Sequence, residues 1–351
     1  MNNQEFSARI RAASREQPLA IRGGGSKDFY GGQPIGEVLD TRGYQGIVAY
    51  EPSELVITAR AGTPLAEIEA ALAAQGQFLP FEPPAIGAAA TIGGVVAAGL
   101  SGPRRMAVGA LRDFVLGIKL IDGEARVLKF GGQVMKNVAG YDISRLITGS
   151  LGTLGLILEV SLKVLPRPVC ERTLRFSLPA GEALARVSAW AAKPLSLSAS
   201  CWQDGVLSVR LSGALAAVNG AEQTLGGELV PESDAATFWH DLREQRLPFF
   251  AGEMPLWRLS VPPTTRALVL PEPQLIEWYG GQRWLRTQTL ATELREAAVI
   301  AGGHATLFRG GDKAAGTFTP LQAVMMELHR RLKAVFDPRG VFNPGRLYPD
   351  I

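Results

Sequence analysis

The sequence predicts an α+β protein of two domains, and three observations carry that prediction. First, 351 residues are enough for two domains, which would bury about three quarters of the surface of the unfolded chain. Second, glycine is enriched, with 40 residues against a usual share of ~7%. Much of it lies before residue 155, which places ligand-binding loops in the first half. Third, beyond Pro166-Arg167-Pro168 strands and helices follow in the order of an antiparallel sheet. We therefore predict domains over residues 1–168 and 169–315 and a C-terminal segment over 316–351.

Composition excludes several classes of function. The 36 basic and 33 acidic residues give a net charge of +3, and the basic residues are scattered, which argues against a nucleic-acid partner. Cys170 and Cys201 are the only cysteines, too few for an iron–sulfur cluster, which typically takes about four. The polar start of the chain and its few cysteines predict a reduced cytoplasmic protein. Residues 85–102 are uncharged but rich in alanine and glycine, so we expect no membrane span there.

The first elements lead into a glycine run. Residues 3–16 form an amphipathic pattern with Phe6, Ile10 and Ala13 on one side, which predicts a helix. A short strand, Leu19 to Ile21, then runs into Arg22-Gly23-Gly24-Gly25-Ser26-Lys27. Three successive glycines leave backbone N–H groups free to bind a pyrophosphate, and Arg22 and Lys27 can supply charge. The run matches neither a Walker loop nor GxGxxG.

A second glycine-containing segment follows three more strands and a helix. The strands are predicted at Val38–Asp40, Ile47–Glu51 and Leu55–Ala61, and Thr63-Pro64 opens a helix that Gly76 closes. Thr91 then caps a helix with Gly93 and Gly94 in its first turn, a pattern suited to an anion. The alternative is a buried helix of small residues packed closely against its neighbours.

A hairpin precedes the strongest strand signal. Asp122-Gly123 joins the strands Leu116–Ile121 and Ala125–Phe130. Further on, Gly149, Ser150, Gly152, Thr153 and Gly155 form a loop of glycines and hydroxyls. The strand after this loop alternates, which predicts one buried face. One side carries Leu154, Leu156, Leu158, Val160, Leu162 and Val164, and the other carries Gly155, Ile157, Glu159, Ser161 and Lys163.

The second half resembles a split βαβ arrangement of the ferredoxin-like type. Strands are predicted at Thr173–Leu178, Leu195–Cys201, Val206–Ser212, Leu256–Val261, Gln282–Thr287 and Ala305–Phe308, with helices at Gly181–Ala192 and about Leu215–Leu225. From Thr319-Pro320 a last helix carries Val324, Met325, Leu328, Leu332 and Val335 on one side. No internal repeat is evident.

These segments together carry a family resemblance. Lys136-Asn137 through Gly140-Tyr141-Asp142, then Arg145-Leu146 and the Gly149 to Gly155 loop, resemble the flavin-contacting segment of the vanillyl-alcohol oxidase superfamily of PCMH-type FAD-linked oxidases. Phe336 to Arg346 (FDPRGVFNPGR) matches the C-terminal pattern of that superfamily. Within it, the chain is similar to the family of smaller FAD-binding subunits of three-subunit glycolate oxidases.

The resemblance implies a fold, a cofactor and partners. The fold would be a PCMH-type two-lobed FAD-binding domain, then a ferredoxin-like antiparallel substrate or cap domain, with the C-terminal segment returning to the FAD domain. Some members carry a histidine that bonds to the flavin where Ser26 stands, so we expect non-covalent FAD. The partners would be a larger catalytic flavoprotein subunit and an iron–sulfur subunit, with only peripheral membrane contact through the complex.

The resemblance also implies which residues hold FAD, although Asp142 and Arg145 remain open to a purely local role in a helix. The implied set is Arg22, Gly23, Gly24, Gly25, Ser26, Thr91, Gly93, Gly94, Ser101, Gly102, Gly109, Asp113, Lys136, Asn137, Tyr141, Asp142, Gly149, Ser150, Gly152, Thr153, Gly155, Ile157 and Asn343.

Oxidation of a small 2-hydroxy acid needs a cation for the carboxylate and a base for the hydroxyl proton. Arg258 and Arg309 are the candidate cations, since arginine matches a carboxylate bidentately. His304, at a turn entering a strand, is the candidate base. Related dehydrogenases carry a His-x-Gly-Asp-Gly-Asn motif and a metal-binding histidine that this chain lacks, and we predict no metal.

We therefore predict an FAD-binding subunit of glycolate oxidase, which oxidises glycolate to glyoxylate and passes electrons to an iron–sulfur partner. Two alternatives remain open. One is a self-sufficient FAD-dependent dehydrogenase of another 2-hydroxy acid. The other is a structural or electron-relay subunit with no substrate chemistry of its own.

Overall fold

The structure is a computed structural model that describes residues 2–132, 142–314 and 316–351. Lys136, Asn137 and Tyr141, three of the predicted flavin contacts, lie outside the described residues. Helices and antiparallel sheets are mixed along the chain, so the α+β prediction is confirmed.

The first half contains five helices and nine strands among the described residues. The helices are α1 (Asn3–Ala12), α2 (Leu65–Ala73), α3 (Ile92–Ala98), α4 (Arg105–Val108) and α5 (Ile143–Ile147). The strands are β1 (Leu19–Arg22), β2 (Glu37–Asp40), β3 (Ile47–Glu51), β4 (Val56–Arg60), β5 (Gln77–Phe78), β6 (Val115–Ile121), β7 (Val127–Gly131), β8 (Leu156–Lys163) and β9 (Leu165–Pro166). Pro64 lies at the cap before α2 rather than at the first helical position that the sequence suggested.

An antiparallel five-stranded sheet in the order β3-β4-β8-β6-β7 organises this half. Strands β1 and β2 form a separate parallel pair, and β5 pairs with β9. The apolar side chains of α2 and α3 pack on the sheet around Ile57, Val160 and Leu162. This packing fixes the N-terminus of α3 close to the end of β1.

Strand β8 corrects the prediction of a strand with one buried face. It lies in the centre of the sheet, and both of its faces are largely buried. Lys119 pairs with Glu159 but Leu120 pairs with Ile157, so Leu158 is an extra residue, a β-bulge. Leu158 therefore packs with α1, while Ile157 joins the core formed with α2 and α3. A bulge shifts the alternation, and no regular period-2 pattern can reveal it.

The second half is built on one eight-stranded sheet in which every neighbouring pair is antiparallel. Its strands are β10 (Cys170–Ser177), β11 (Leu197–Gln203), β12 (Val206–Gly213), β13 (Glu228–Val230), β14 (Leu256–Ser260), β15 (Gln274–Glu277), β16 (Gln282–Arg286) and β17 (His304–Arg309). Its helices are α6 (Ala180–Ala191), α7 (Leu215–Leu225), α8 (Glu232–Arg243) and α9 (Ala291–Ile300), and α10 (Ala323–Phe336) follows the sheet.

The sheet order contains an internal duplication that the sequence did not reveal. The order is β13-β10-β12-β11-β15-β16-β14-β17. Read from either edge, the strands of each half follow the ferredoxin-like sequence 4-1-3-2. The second unit lacks a helix between its first two strands, where residues 261–273 form a loop. The repeat is therefore one of topology, and it has lost the helical pattern that a sequence comparison would detect.

The two faces of the eight-stranded sheet have different environments. Helices α6 and α7 cover one face of the first unit, and α9 covers the same face of the second. On the opposite face, Trp284 and Phe308 pack against Tyr30, Leu100 and Leu151 from the first half of the chain. This contact places the polar residues of that face against the loops that follow α3.

The apolar side of helix α10 lies largely on the surface. Val324, Met325, Leu328 and Val335 are 74%, 45%, 47% and 67% exposed. The inward side instead carries Lys333, whose ammonium donates to the backbone oxygens of Thr153 and Phe342 and to Asp337, each at 2.8 Å. Those bonds fix the rotation of the helix, so the apolar stripe stays on the surface.

Within the described ranges, no helix is long and apolar enough to cross a membrane.

Candidate functional site

The glycine run after β1 forms a loop with unused donors. The backbone N–H groups of Gly23, Gly24, Gly25 and Ser26 have no hydrogen-bond acceptor within the described part of the chain. Gly25 has φ +73°, in the left-handed region that glycine tolerates. Successive N–H groups of this kind make a concave anion site. Arg22 lies beside the loop, and its guanidinium forms an ion pair with Asp28 at 2.7 Å.

Close packing also accounts for glycine in this loop. A Cβ at Gly24 would lie 1.4 Å from the backbone oxygen of Ala89, and one at Gly23 would lie 2.3 Å from the hydroxyl of Thr91. The ammonium of Lys27 donates to Ser26 Oγ and to the backbone oxygen of Ala85, and Lys27 lines the cavity next to the loop. Burial lowers the pKa of Lys27 to about 8, although Glu244 opposes the shift.

Helix α3 begins next to this loop. Thr91 is its N-cap, and the Thr91 hydroxyl accepts a hydrogen bond from the backbone N–H of Gly94 at 3.3 Å. A Cβ at Gly94 would meet nothing closer than that hydroxyl, at 3.3 Å. Gly93, in contrast, packs on Ala61 at 2.6 Å from the site of its missing Cβ. Gly94 is therefore the glycine of this helix whose open side faces a cavity.

The loop from Gly149 to Gly155 packs on the C-terminal end of α3. The N–H groups of Gly149 and Leu151 donate to the backbone oxygens of Val96 and Ala97, each at 2.9 Å. Thr153 Oγ1 donates to the backbone oxygen of Ser150 at 2.8 Å. The hydroxyl of Ser150 is buried and has no hydrogen-bond partner among the residues that the structure describes. An unpartnered buried hydroxyl beside a glycine loop points to a polar ligand.

Asn343 ties the C-terminal segment to both glycine loops. Its Oδ1 accepts from the N–H of Ile21 at 2.7 Å, and its Nδ2 donates to the backbone oxygen of Leu151 at 2.6 Å. Phe342 also forms a parallel β-bridge with Leu19. The prediction that the C-terminal segment returns to the first part of the chain is therefore confirmed.

These loops line three adjoining cavities of about 80, 60 and 280 Å³, which we call the glycine cleft. All three share Ile21 and Asn343. Of the predicted cofactor residues, twelve line the cleft: Arg22, Gly23, Gly24, Gly25, Ser26, Thr91, Gly93, Gly94, Gly152, Gly155, Ile157 and Asn343. Arg346 also lines it, and the sequence analysis did not select that residue; its position in the Asn343-Pro344-Gly345-Arg346 run was the available signal.

Several other predicted residues make local contacts away from the cleft lining. Asp113 accepts from the N–H of Ala110 at 2.9 Å and lies 3.6 Å from Arg145. Asp142 caps α5, accepts from the N–H of Arg145 at 3.1 Å and pairs with its guanidinium at 3.0 Å. The cap alternative left open for Asp142 is therefore observed. Gly109, with φ +106°, ends α4 close to Asp113.

Ser101 and Gly102 lie instead at a second cavity, between the first half of the chain and the eight-stranded sheet. This narrow polar cavity of about 20 Å³ is lined on the sheet side by Arg258, Glu277, Gln282 and Trp284. The opposite wall and rim consist of Pro84, Leu100, Ser101, Gly102, Pro103, Leu242, Arg243, Gln245 and Phe308. Glu277 was not predicted from the sequence because strand β15 was not predicted. The only signal was an acidic residue at the end of the short apolar run Leu275-Ile276.

The pairing of strands explains how the polar cavity is built. Arg258 on β14 is opposite Trp284 on β16 and Thr306 on β17, and Glu277 on β15 is opposite Gln282. Arg258 donates to the hydroxyl of Tyr30 at 3.1 Å. No ion-pair partner of Arg258 is found among the described residues, so its charge is available to an anion. Burial raises the pKa of Glu277 to about 7, against the effect of hydrogen bonds from Trp284 and Gln282.

His304 and Arg258, the predicted base and one of the two predicted cations for the substrate, lie close together. His304 is opposite Ser260, two residues from Arg258, on the same face of the sheet. Desolvation by neighbouring side chains, with the charges of Arg258 and Arg105, lowers the pKa of His304. Arg105 stacks on the ring of Trp278 at 4.4 Å. The surroundings of His304 are thus electropositive.

Arg309, the other predicted cation, is not brought to this cavity. It lies at the opposite end of β17 from His304, donates to Gln245 Oε1 at 2.5 Å and stacks over Phe29 at 4.6 Å. A larger cavity of about 700 Å³ lies near β10 and α8, and three of its arginines, Arg172, Arg210 and Arg243, are paired with acidic residues, whereas Arg167 forms no ion pair with any residue that the structure describes. No group of three or more His, Cys, Asp or Glu side chains in the described ranges could hold a metal ion.

Known proteins share both the sequence and the fold. Residues 1–131 match the family model described as "FAD binding domain", and residues 282–347 match "FAD linked oxidases, C-terminal domain". "Glycolate oxidase subunit GlcE" of Escherichia coli is 49% identical over 97% of this chain and 95% of its own length. The chain belongs to the GlcE family of glycolate oxidase subunits.

More distant relatives place the GlcE family among FAD-linked oxidoreductases. "Glycolate oxidase subunit GlcD" of Bacillus subtilis is 31% identical over 49% of this chain and 37% of its own length. The solved structure of alkyldihydroxyacetonephosphate synthase superposes with a TM-score of 0.68 at 15% identity, over 98% of this chain and 75% of that one. The predicted PCMH-type fold is therefore confirmed, and the chain is an FAD-linked oxidoreductase.

The glycine cleft fits the cofactor of the GlcE family. The unused N–H groups of Gly23 to Ser26 suit the negative diphosphate of FAD. The open side of Gly94 lies along the same cleft. We assign these residues, with Thr91 and Asn343, to FAD as a proposal.

Proposed function

We propose that this chain is the FAD-binding subunit of a glycolate oxidase complex that converts glycolate to glyoxylate and passes the electrons to an iron–sulfur partner. One observation carries the proposal: the 49% identity to the E. coli glycolate oxidase subunit extends over 97% of this chain and 95% of that one. Identity over whole chains supports a shared role in the complex as well as a shared fold.

FAD would be held without a covalent bond. Neither histidine nor cysteine lines the glycine cleft within the described residues, and Ser26 lies where some resembled proteins carry a flavin-linked histidine. When bound, FAD supplies the acceptor for a hydride from the carbinol carbon of the substrate. The chain contributes the anion cradle, the walls of the cleft and the cation that orients the substrate.

Arg258 is the residue best suited to bind the carboxylate of glycolate. Its guanidinium lines the polar cavity, and its only hydrogen bond among the described residues goes to the neutral hydroxyl of Tyr30. A guanidinium can bind a carboxylate through two parallel hydrogen bonds. Arg105 is close enough to interact electrostatically with Arg258, and its positive potential would draw an anionic substrate inward.

The electrons would leave through partner subunits. Only Cys170 and Cys201 are present, so an iron–sulfur cluster must be supplied by another chain. The exposed apolar stripe of α10 supports an assembly of this kind, because Lys333 prevents the helix from turning the stripe inward. We propose that another subunit of the oxidase covers Val324, Leu328 and Val335, and that any membrane contact is peripheral and made through the complex.

A second candidate function is electron relay without substrate chemistry. The lack of a metal-holding group of His, Cys, Asp or Glu within the described ranges favours it, because the resembled 2-hydroxy acid dehydrogenases use a metal-binding histidine. In that case glycolate would be oxidised on the larger flavoprotein subunit. A self-sufficient dehydrogenase of another hydroxy acid is the third possibility, and it predicts reduction of the isolated chain by that acid.

Reconstitution tests the proposed function. The chain would be co-expressed with the larger flavoprotein subunit and the iron–sulfur subunit, and glycolate-dependent reduction of a dye would be measured. We expect activity with the wild-type chain and loss of activity when this chain is omitted or cannot bind FAD. Full activity without this chain would refute the proposal.

A further inference from the structure

Glu277 is a buried carboxylate that the fold does not need for an ion pair. The residue is 4% exposed, at the end of β15 and on the wall of the polar cavity. Within the described part of the chain it has no ion-pair partner. Burying a carboxylate in this way is unfavourable, so its presence calls for a role other than stability.

The hydrogen bonds of Glu277 leave one oxygen available. Trp284 Nε1 donates to Oε1 at 2.7 Å, and Gln282 Nε2 donates to the same oxygen at 3.1 Å. Oε2 has no hydrogen-bond partner among the described residues and is not fully enclosed. Two donors on Oε1 fix the direction of the carboxyl group, and Oε2 is left for a ligand in the cavity.

The backbone after Glu277 is held in an unusual conformation. Trp278 and Tyr279 both have positive φ, +56° and +57°. Trp278 Nε1 donates to the backbone oxygen of Gly102 at 3.1 Å, and the Tyr279 N–H donates to Ser200 Oγ at 3.1 Å. Bulky residues adopt this conformation only where surrounding contacts enforce it. The turn therefore fixes Glu277 against Gly102 in the opposite wall.

Arg258 and Glu277 lie on the same face of the sheet, on β14 and β15 with β16 between them. Two strand spacings and an offset of two residues along the strands separate their Cα atoms by about 12 Å. Their side chains can therefore approach a compact ligand from both ends. The cavity of about 20 Å³ has room for about one water molecule, so Arg258 would leave the hydroxyl of Tyr30 to admit and bind the acid.

We propose that Glu277 accepts the hydroxyl proton of the 2-hydroxy acid whose carboxylate Arg258 binds. The inference rests on the proposed function, because it needs FAD as the two-electron acceptor. The C–H bond of the carbinol carbon breaks with its electron pair going to FAD, and the O–H proton passes to Oε2 of Glu277. The oxygen keeps the electron pair of its O–H bond and forms the C=O bond of the 2-oxo acid.

Other charged or titratable groups near Glu277 influence how this site responds to pH. Arg258 and Arg243 line the same cavity, and Arg243 is already paired with Glu69 and Glu244. Glu82 and the thiol of Cys201, opposite Glu277 on β11, interact with it electrostatically. Of these groups, Glu277 is the carboxylate that lines the polar cavity.

The test compares wild type with Glu277→Gln in the FAD-loaded full chain. Glutamine keeps an acceptor for Trp284 and Gln282, so the variant should fold and bind FAD, which absorbance checks. We expect glycolate to reduce its flavin roughly 10²- to 10⁴-fold more slowly than wild type, without the rise in rate through about pH 7. Binding of 2-hydroxyisobutyrate, which has no transferable carbinol hydrogen, should remain within a few fold. Glu253→Gln, the same change at an exposed carboxylate before β14, is the matched control and should react like wild type.

A readout that does not depend on turnover is the titration of the carboxyl group itself. With ¹³C-labelled glutamate side chains, one resonance should titrate near pH 7, shift with 2-hydroxyisobutyrate and be missing from Glu277→Gln. Equal reduction of wild type and Glu277→Gln would overturn the role of Glu277 while the proposed function stands. A wild-type flavin that glycolate cannot reduce would remove the substrate chemistry proposed for this chain and the inference with it.

Discussion

Glu82 Oε1 and Arg210 Nη2 lie 2.8 Å apart and join the first half of the chain to the eight-stranded sheet. Arg104 completes the contact, since its backbone N–H donates to Glu82 Oε2 at 3.0 Å. Burial alone would raise the pKa of Glu82, but the charges of Arg210 and Arg104 outweigh it and the pKa is lowered. This network lies beside Gly102 and therefore beside the polar cavity.

Glu82→Gln should destabilise the protein strongly. The substitution removes the ion-pair partner of the buried Arg210, which costs about 3–5 kcal/mol, whereas Arg104 keeps its ion pair with Glu171. The pKa of Glu82 is lower in the folded state than in the unfolded state. The stabilisation that ionised Glu82 provides is therefore present above its unfolded-state pKa and is lost as pH falls through its folded-state pKa. Urea unfolding at neutral and acidic pH measures both effects. Glu182→Gln, which removes an exposed pair with Arg186, should change the free energy of unfolding by less than ~1 kcal/mol.

Gly94→Leu should remove FAD without unfolding the chain. The Cβ would press only on Thr91 Oγ1, at 3.3 Å, which a small shift relieves, and the rest of the side chain would enter the glycine cleft. A leucine suits the helix better than glycine by up to ~1 kcal/mol, whereas the clash with FAD should lower its affinity at least roughly tenfold. The flavin-to-protein absorbance ratio measures retention. Gly220→Ala in α7, a helical glycine with open space around it, should keep FAD, and FAD retained at wild-type affinity in Gly94→Leu would place the cofactor elsewhere.

Glu277→Gln should be more stable than wild type at high pH. The folded pKa of Glu277 is raised to about 7, so the folded state prefers the protonated acid. The stabilisation that protonated Glu277 provides is fully present below its unfolded-state pKa of ~4.3, and it is lost as pH rises through the folded-state pKa of about 7. Wild type should therefore lose up to about 3 kcal/mol relative to the variant between pH 5 and pH 9. Thermal unfolding across this range measures the difference, and parallel curves would contradict the raised pKa.

Arg258→Gln should weaken glycolate binding much more than Arg309→Gln. Losing a charged hydrogen-bond pair to the carboxylate costs about 1.5–3 kcal/mol, or roughly a ten- to hundredfold increase in the dissociation constant. Arg309 is engaged with Gln245 and Phe29 at the other end of β17. Perturbation of the flavin spectrum by 2-hydroxyisobutyrate measures binding in both variants. The opposite ranking would show that the carboxylate binds near Arg309.

Leu328→Glu should prevent assembly but not FAD binding. The side chain is 47% exposed on the outer side of α10, so a charge there costs the isolated chain little. A buried charge at an interface is costly, and co-purification with the other oxidase subunits should fall. Val206→Glu, at an exposed valine outside the stripe, serves as the matched control. Normal assembly of the Leu328 variant would mean that the stripe is not covered by a partner.

Local patterns predicted much of the fold. The Asp122-Gly123 hairpin, the helices at α6 and α7 and the strands around those helices depend on short-range signals, and they were found within a few residues. The bulge at Leu158 and the exposed side of α10 were not predictable in this way, because each depends on contacts with distant segments. The position of Lys333, which sets the rotation of α10, is decided by Thr153 and Phe342.

For the candidate site, too, residues in local sequence patterns were predictable and residues that depend on distant contacts were not. The glycine loops and Asn343 could be found because the resemblance covers those segments, and twelve of the predicted residues line the glycine cleft. Glu277 could not, since its importance arises from burial and from the cross-strand positions of Gln282 and Trp284. The sequence also could not separate Arg258 from Arg309, which differ only in which end of the sheet they occupy. Nor could the sequence reveal that close packing against the backbone of Ala89 requires glycine at position 24, in addition to the proposed ligand.

The most direct test of the account is an anaerobic spectrum of the purified chain during addition of glycolate, with D-lactate as a comparison. We predict a flavin spectrum that glycolate bleaches, with reduction that accelerates as pH rises through about 7. A flavin that stays oxidised with both acids would contradict substrate chemistry in this chain and leave electron relay. A colourless protein that takes up no added FAD would contradict the account as a whole.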